Sequence, residues 1–360
     1  MPRLKLLRGQ AHLEAVWALM EQSAAADRGE EKIEWLKMAL RAAWKEARFD
    51  FTLRAFTEMR KMYELDSRYV DLGKDILWYF KWLAEELPQY ADVSKQQIEL
   101  TFQEMERFYH DCRESLRPVF ALRCQAAVQM GNQDEAQQWY EKWQAIPRGK
   151  TDDCLACDLA RHAYYLFDRQ QTNEAMSVAQ TIFRDRVFCD DTPELITRMI
   201  GPLLKTGRRP GALAMLRICR RPVRKVPSML GALAANVVLW FMVGDVVRSR
   251  RLAILTLRRA SAARNDLDRF SAYRSCGLWA AMAFLAGQQQ LTLPGRLMPG
   301  PAISTPTVNL ADAAALCFDE ASRIAAKLDA RNGTTRYADR INEIENTIRR
   351  AVKRPESLRG

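Results

Sequence analysis

The sequence predicts an all-α protein, and three observations support that fold class. Apolar residues recur at helical spacing almost from end to end, as on the face formed by Leu36, Leu40 and Ala43. The 360 residues include only 16 Gly and 14 Pro, which is typical of helices joined by short turns. No segment shows the alternation of apolar and polar residues that marks a half-buried strand. With 48% apolar residues, the chain can bury a sizeable core.

The first predicted region, residues 1–113, is helical. Its periodic segments are separated by breaks at Asp66-Ser67 and at Pro88, where helices are expected to end. The pattern leaves two alternatives open: these helices are degenerate copies of the repeats that follow, or they form a separate bundle. The beginning of the chain has no long apolar run and no cleavage pattern of a secretory signal.

A recurring pattern occupies the second region, residues 114–287. Its clearest copy runs from Gly131 through a short polar turn to Ala136, and continues through aromatic residues to Pro147. Three weaker copies follow along the chain. The small residues at equivalent positions of the four copies are Ala136, Ala175, Ala212 and Ser249, spaced by 39, 37 and 37 residues.

This pattern resembles the tetratricopeptide (TPR) repeat, in which a Gly closes the first helix, a small residue follows the turn and a Pro ends the second helix. The family's repeat is about 34 residues long, so the helices or linkers here are slightly longer. The resemblance covers about residues 118–260. It implies a right-handed superhelix of stacked antiparallel helix pairs, a TPR-like α-solenoid whose first helices line the concave side. The small residue is expected where the two helices of a pair cross closely.

Two further regions complete the chain. Residues 288–309 contain four Pro and predict a Pro-rich, exposed loop. Residues 310–360 predict C-terminal helices, of which the last, the polar helix Tyr337–Lys353, is expected to cap the stack.

Positive charge is concentrated in residues 201–275. The net charge of the chain is +11, and this segment holds 16 Lys and Arg against 3 Asp and Glu. A field of that sign favours an acidic protein surface, a nucleic acid or an anionic membrane as partner. The sequence therefore predicts a basic patch, whose members are Arg217, Arg220, Arg221, Arg224, Lys225, Arg248, Arg250 and Arg251.

Residues 226–244, inside this basic segment, are uncharged but do not predict a membrane span. They include Pro227, Asn236 and Gly244, and basic residues flank both ends, which gives no orientation signal. The repeat register places a first helix here. We therefore expect a buried repeat helix and no membrane association.

The sequence contains no recognisable catalytic motif, which favours a protein that is not an enzyme. It has 3 His, none in a catalytic or metal-binding pattern, and no Gly-rich phosphate loop. The one metal-like cluster is Cys154-x-x-Cys157 with His162 nearby. A structural zinc ion needs four ligands; Cys189 is a candidate third thiol, but no second pair has matching spacing. We expect buried, reduced thiols in a cytoplasmic protein, with no metal ion and no cofactor.

The TPR resemblance also implies where a partner binds. Because a stack of helix pairs presents an extended concave surface, we expect a non-catalytic protein–protein scaffold or adaptor whose protein partner has an acidic surface. One alternative is a nucleic-acid-binding repeat protein that uses segment 201–275. Another is a regulator in which a peptide in the repeat groove switches the N-terminal helices. The oligomeric state stays open. The candidate residues on the concave face are Arg161, Tyr164, Asp168, Arg198 and Lys205.

Overall fold

The computed structural model describes residues 9–25, 29–189, 192–292, 297–299 and 307–353. Of these residues, 81% are helical and 2% lie in strands, so the predicted all-α class is confirmed. Parts of every predicted region lie outside the described residues, including half of the Pro-rich loop. These parts are 1–8, 26–28, 190–191, 293–296, 300–306 and 354–360.

Sixteen α-helices make up most of the described chain. Three short 3₁₀ turns, at Ser67–Tyr69, Leu87–Gln89 and Pro227–Met229, lie between them. In chain order the helices are α1 (Gly9–Ala25), α2 (Gly29–Lys45), α3 (Phe49–Leu65), α4 (Leu72–Glu86), α5 (Lys95–Asp111), α6 (Arg117–Met130), α7 (Gln133–Ala145), α8 (Leu155–Asp168), α9 (Thr172–Arg184), α10 (Thr192–Lys205), α11 (Arg209–Lys225), α12 (Leu230–Met242), α13 (Val246–Ala262), α14 (Asp266–Leu285), α15 (Leu310–Asn332) and α16 (Arg336–Lys353).

The loop predicted over 288–309 is tied together at its base. Its ends form two short strands, β1 (Gln290–Thr292) and β2 (Thr307–Asn309), which pair antiparallel. Leu291 lies opposite Val308, and both side chains are buried. The sequence did not predict these strands, because three residues are too few to show a recognisable alternation.

Consecutive helices pack against one another, and alternate helices form a second set of contacts. Helix α4 contacts α6, α6 contacts α8, and the series continues through α10, α12 and α14 to α16. This arrangement is compatible with a helical repeat protein, in which each unit stacks on the next.

The uncharged segment 226–244 contains the largely buried helix α12, as predicted. Asn236 is fully buried there, and its amide donates to the Ala232 carbonyl at 2.8 Å and to the Thr197 hydroxyl at 3.1 Å. None of the described helices combines the length and the apolar composition that a membrane crossing requires.

The turns within the helix pairs explain why some copies of the repeat pattern are clearer than others. Gly131, Gly207 and Gly244 have φ values of 82°, 73° and 85°, a left-handed conformation that ends the first helix of three pairs. Gln170 occupies the equivalent place between α8 and α9, with a φ of 61°. A non-Gly residue costs about 1–2 kcal/mol in this conformation. The fold tolerates this cost at Gln170, and the second copy of the repeat pattern therefore lacks the Gly that marks the end of the first helix in the other three.

All four small residues of the repeat pattern are buried, including Ala136 and Ala175, for which burial at a helix crossing was predicted. Ala136, Ala175, Ala212 and Ser249 each have an exposed fraction of 0%. Ser249 is the polar residue among the four, and its buried hydroxyl donates a hydrogen bond to the Val237 carbonyl of α12 at 2.6 Å. A larger side chain at these positions must displace its neighbours.

Two large hydrophobic cores support the fold. One extends from Leu13 in α1 to Met130 in α6, and the other from Ile196 in α10 to Ile341 in α16. Smaller clusters fill the space between α6 and α11. Because the first core continues into α6, the N-terminal helices pack directly on the region that resembles TPR repeats.

The early and late helices also contact each other. Arg331 of α15 donates to the carbonyls of Pro88 and Tyr90, just after α4, at 2.6 and 3.0 Å. The Ala91 amide donates to Asp266 at the start of α14 at 2.9 Å. In a simple solenoid each repeat contacts only its neighbours. These long-range contacts instead bring the two halves of the chain together.

Helix α16 does more than cap the end of a stack, the role predicted for it. It packs on α14 and α15, its Tyr337 is buried, and its Arg336 forms an ion pair with Asp168 of α8. The last helix therefore reaches back to the middle of the chain.

Candidate binding sites

The alternate helices enclose an inner cavity of about 600 Å³. Its wall comes mainly from α4, α6, α8, α10, α12, α14 and α16. Trp44 of α2 and Trp82 of α4 add an apolar surface, with their rings stacked 5.5 Å apart. A volume of this size is typical of sites for small molecules or short peptide segments.

Four of the five predicted concave-face residues line the inner cavity. Arg161, Tyr164 and Asp168 belong to α8, and Arg198 belongs to α10. Lys205, at the end of α10, is not part of the lining. The register implied by the TPR resemblance therefore places most of these side chains on one shared surface.

Arg161 and Asp168 are held in place by neighbouring side chains. Arg161 donates to the Asp153 carboxylate at 2.7 Å. Asp168 accepts a hydrogen bond from Gln133 at 2.8 Å and pairs with Arg336. These contacts make the two residues part of the cavity framework.

Arg198 and Tyr164 form a pair that a ligand in the cavity can reach. The guanidinium carbon of Arg198 lies 4.1 Å from the centroid of the Tyr164 ring, a cation–π distance. The Arg198 side chain is 48% exposed, and its nearest carboxylate oxygen on Glu194 is 3.8 Å away.

Three carboxyl groups form an acidic wall of the cavity: Glu86 at the end of α4, Glu194 in the first turn of α10 and Asp268 in the first turn of α14. Burial raises the pKa of Glu86 to about 8, and the charges of Asp268 and Glu85 add to the effect. Burial, followed by repulsion from Glu194, raises the pKa of Asp268 to about 7. Burial also raises the pKa of Glu194. Glu86 forms no ion pair or hydrogen bond with any described residue, so no partner offsets the effect of burial on its pKa.

A basic wall lies elsewhere in the same cavity and consists of Arg274 of α14 with Arg336 and Arg340 of α16. Burial lowers the pKa of Arg340 to about 10, and the charges of Arg336 and Arg274 lower it further. Burial also lowers the pKa of Arg274. The Nε atom of Arg274 is buried and has no hydrogen-bond partner in the described part of the chain. Carboxylates balance part of this wall: Asp168 lies 3.5 Å from Arg340 and pairs with Arg336, and the charge of Glu343 acts on Arg274.

Sequence reasoning missed Glu86, Asp268, Arg274 and Arg340. All four lie outside residues 118–260, the stretch that resembles TPR repeats. Their helical register indicates which face each occupies, but no local signal shows that these faces meet.

The basic segment forms a basic groove of about 380 Å³ between α11 and α13. Its apolar lining includes Val247, Leu252 and Leu255, and Val247 is 64% exposed. Among the described residues that line it, the one carboxylate is Asp245, which caps α13 and lies 3.1 Å from Arg248. The groove therefore combines an apolar floor with an excess of positive charge.

Half of the predicted basic patch lines this groove. Arginines elsewhere in the segment have structural roles: Arg209 donates to the Val243 carbonyl at 2.8 Å, and Arg259 donates to the Arg224 carbonyl at 2.7 Å. The patch residues in the groove are Arg220, Arg224, Arg248 and Arg251, joined by Arg258; the exposed patch residues outside it are Arg217, Arg221, Lys225 and Arg250.

Three cysteines form a thiol cluster beside the cavity. Cys154 caps α8, and its sulfur accepts a hydrogen bond from the Cys157 amide at 3.4 Å. The sulfurs of Cys157 and Cys189 are 3.2 Å apart, and all three sulfurs lie within 4.8 Å of one another. His162 does not join them, because its Nε2 is hydrogen-bonded to the Tyr140 hydroxyl at 2.8 Å.

The expectation of buried thiols is wrong for this cluster. Cys154 is exposed, and Cys157 and Cys189 are half-buried. The expectation is correct for four other cysteines, which lie in helix interfaces. These are Cys124, Cys219, Cys276 and Cys317.

No protein-family model matches the chain, and no curated protein matches its sequence.

Proposed function

We propose that this chain is a non-catalytic adaptor of the cytoplasm, in which TPR-like helix pairs form a right-handed superhelix around a peptide-binding cavity. The observation that carries the proposal is the separation of charge inside that cavity. Glu86, Glu194 and Asp268 place carboxyl groups on one wall, whereas Arg274 and Arg340 place guanidinium groups on another.

A peptide segment suits this cavity because it can carry both charges at separate positions. A Lys or Arg side chain or an amino terminus fits the acidic wall, and a carboxylate fits the basic wall. Each incoming charge relieves repulsion among wall groups of the opposite sign, which gives the site specificity as well as affinity. The Tyr164 ring and the stacked Trp44 and Trp82 rings offer faces for apolar or cationic side chains.

The TPR-like part of the proposal is supported by the recurrence of local features. Small residues are buried at four equivalent positions, and glycines with positive φ close three of the four first helices. The alternating contacts from α4 to α16 have the order expected of stacked pairs.

A second binding surface is favoured by the basic groove. Its arginines and apolar floor fit an acidic protein segment that also presents apolar side chains. No residue that lines the groove also lines the inner cavity. One molecule can therefore hold two partners at once, which is the property of an adaptor.

The cavity proposal is tested by selecting binders from a library of displayed random short peptides with the full chain. We expect enrichment of peptides that carry both a basic residue and a carboxylate. The double variant Glu86→Gln, Asp268→Asn should bind these peptides about tenfold more weakly, the equivalent of about 1.4 kcal/mol. Arg274→Gln should weaken binding of the same peptides, because it removes a guanidinium group that pairs with the peptide carboxylate.

The matched control is Arg184→Gln, since Arg184 is exposed on α9 and pairs only with its neighbour Asp185 in the described chain. It should bind as the parent does. A selection that enriches no charge pattern, or peptides that bind the wall variants and the parent equally, would refute the cavity proposal.

A further inference from the structure

The thiol cluster has the arrangement of a metal site rather than of scattered structural cysteines. Three sulfurs come from two separate places in the chain, the start of α8 and the segment before α10, and lie within 4.8 Å of one another. Around an ion with metal–sulfur bonds of about 2.3 Å, tetrahedral sulfurs are about 3.8 Å apart. Small side-chain rotations therefore suffice to bring all three sulfurs to one ion.

Cysteine binds metal as the thiolate, and two features with positive potential lie next to the cluster. Cys154 and Cys157 lie at the N-terminus of α8, where the helix dipole stabilises negative charge. Arg161 follows Cys157 by one turn, and the two side chains interact electrostatically. Each thiol releases its proton to solvent when the metal binds.

We propose that Cys154, Cys157 and Cys189 bind one thiophilic d¹⁰ cation, Zn²⁺ or Cu⁺, through three thiolates. Soft thiolate ligands select these ions over Mg²⁺ or Ca²⁺. A three-thiolate set satisfies Cu⁺ directly and leaves one position open on Zn²⁺. Cys157 also lines the inner cavity, so the cluster borders that space. The sequence predicted no metal because it showed only one Cys pair with matching spacing; the fold brings Cys189, the candidate third thiol, next to that pair.

This site is independent of the proposed peptide binding and is tested on the full chain. The reduced, metal-free protein is titrated anaerobically with Zn²⁺ and, separately, with Cu⁺, each against a chromophoric chelator. Co²⁺ is added as a spectroscopic substitute for Zn²⁺. We expect one ion per chain and, with Co²⁺, the near-ultraviolet sulfur-to-metal absorption of several thiolates. Each competition gives a dissociation constant, and the lower of the two identifies the preferred ion.

The matched variants are Cys154→Ser, Cys157→Ser and Cys189→Ser, with Cys112→Ser as the control. Cys112 is half-buried at the end of α5 and lies outside the cluster. Each cluster variant should lose stoichiometric binding, whereas the control should keep it. On the parent protein, which needs no variant to fold, bound metal should protect three cysteines from alkylation while Cys112 still reacts.

Three results would overturn the proposal. The first is the absence of stoichiometric binding by the reduced parent for both ions. The second is full binding by Cys189→Ser, which would leave only an adventitious Cys154–Cys157 pair. The third is a Cys157–Cys189 disulfide that forms in the presence of either ion and excludes it.

Discussion

The hydroxyl of Tyr337 in α16 donates a hydrogen bond to the carbonyl of Gln129 in α6 at 2.7 Å, across 208 residues of sequence. Gln129 lies in the last turn of α6, where helix carbonyls lack a partner within the helix. Thr334 does the same for the next carbonyl, that of Met130, at 3.2 Å. The C-terminal segment thus completes the end of α6 and helps to enclose the inner cavity.

The first prediction is that Tyr337→Phe lowers the free energy of unfolding by about 1 kcal/mol, the net contribution of a buried hydrogen bond. The ring keeps its edge contact with Phe270, so the loss reflects the hydroxyl alone. Urea unfolding measures the change. Tyr63→Phe is the control, because the Tyr63 hydroxyl has no hydrogen bond to the described residues. Equal stability of parent and Tyr337→Phe would contradict the role given to this contact.

A second prediction concerns the helix crossings. Ala136→Leu and Ala175→Leu should each destabilise the protein by about 1–3 kcal/mol, because the added side chain overpacks a contact that has no free volume. Thermal unfolding of each variant gives the measurement. Ala214→Leu, at an exposed position of α11, should have little effect. If all three variants melt at the same temperature, the repeat register is wrong.

The third prediction is a pH-dependent gain of stability in Glu86→Gln. The folded protein holds the Glu86 proton up to a pKa of about 8, against about 4.5 when unfolded. Its contribution to stability is therefore present below about pH 4.5 and is lost as pH rises through 8. Gln has the shape of the protonated acid. The melting temperatures of variant and parent should agree near pH 5, and the variant should melt higher near pH 8.

The control for this pH series is Asp319→Asn, since Asp319 is exposed in the middle of α15. Its melting temperature should follow that of the parent at both pH values. A Glu86→Gln variant that is less stable than the parent near pH 8 would show that the carboxylate has a compensating partner.

The fourth prediction concerns the basic groove. Replacing Arg220, Arg224, Arg251 and Arg258 by Gln should weaken binding to a poly-glutamate probe and leave the fold intact, because exposed charges contribute little to stability. Binding of the parent should also fall as salt rises, since exposed charges are screened over about 8 Å at physiological ionic strength.

The same titration with single- and double-stranded nucleic acid separates the two partner classes. Contact with several phosphates would make affinity fall by orders of magnitude between about 50 and 200 mM salt. A steep slope with nucleic acid and none with poly-glutamate would favour the nucleic-acid alternative. The control variant replaces four basic residues outside the groove by Gln: Arg184, Arg186, Arg323 and Lys327. If this control also lost all binding, the affinity would depend on the net charge of the protein and not on the groove.

The sequence by itself determined the local structure. The helices, the buried α12 and the buried small residues at the pair crossings were all predictable, because each depends on side chains within a few residues of one another. The family register also placed Arg161, Tyr164, Asp168 and Arg198 on a common inner surface. In the structure these four side chains line the inner cavity, and their role in binding a partner stays a prediction.

Only the tertiary structure decided which distant residues meet. The acidic wall unites Glu86 with Asp268, and the thiol cluster unites Cys157 with Cys189, yet no local pattern connects the members of either set. The contacts between early and late helices depend on how every intervening helix packs, so this packing decides whether the two halves stay apart or touch. The inner cavity and its two charged walls follow from that packing, which sequence periodicity does not encode.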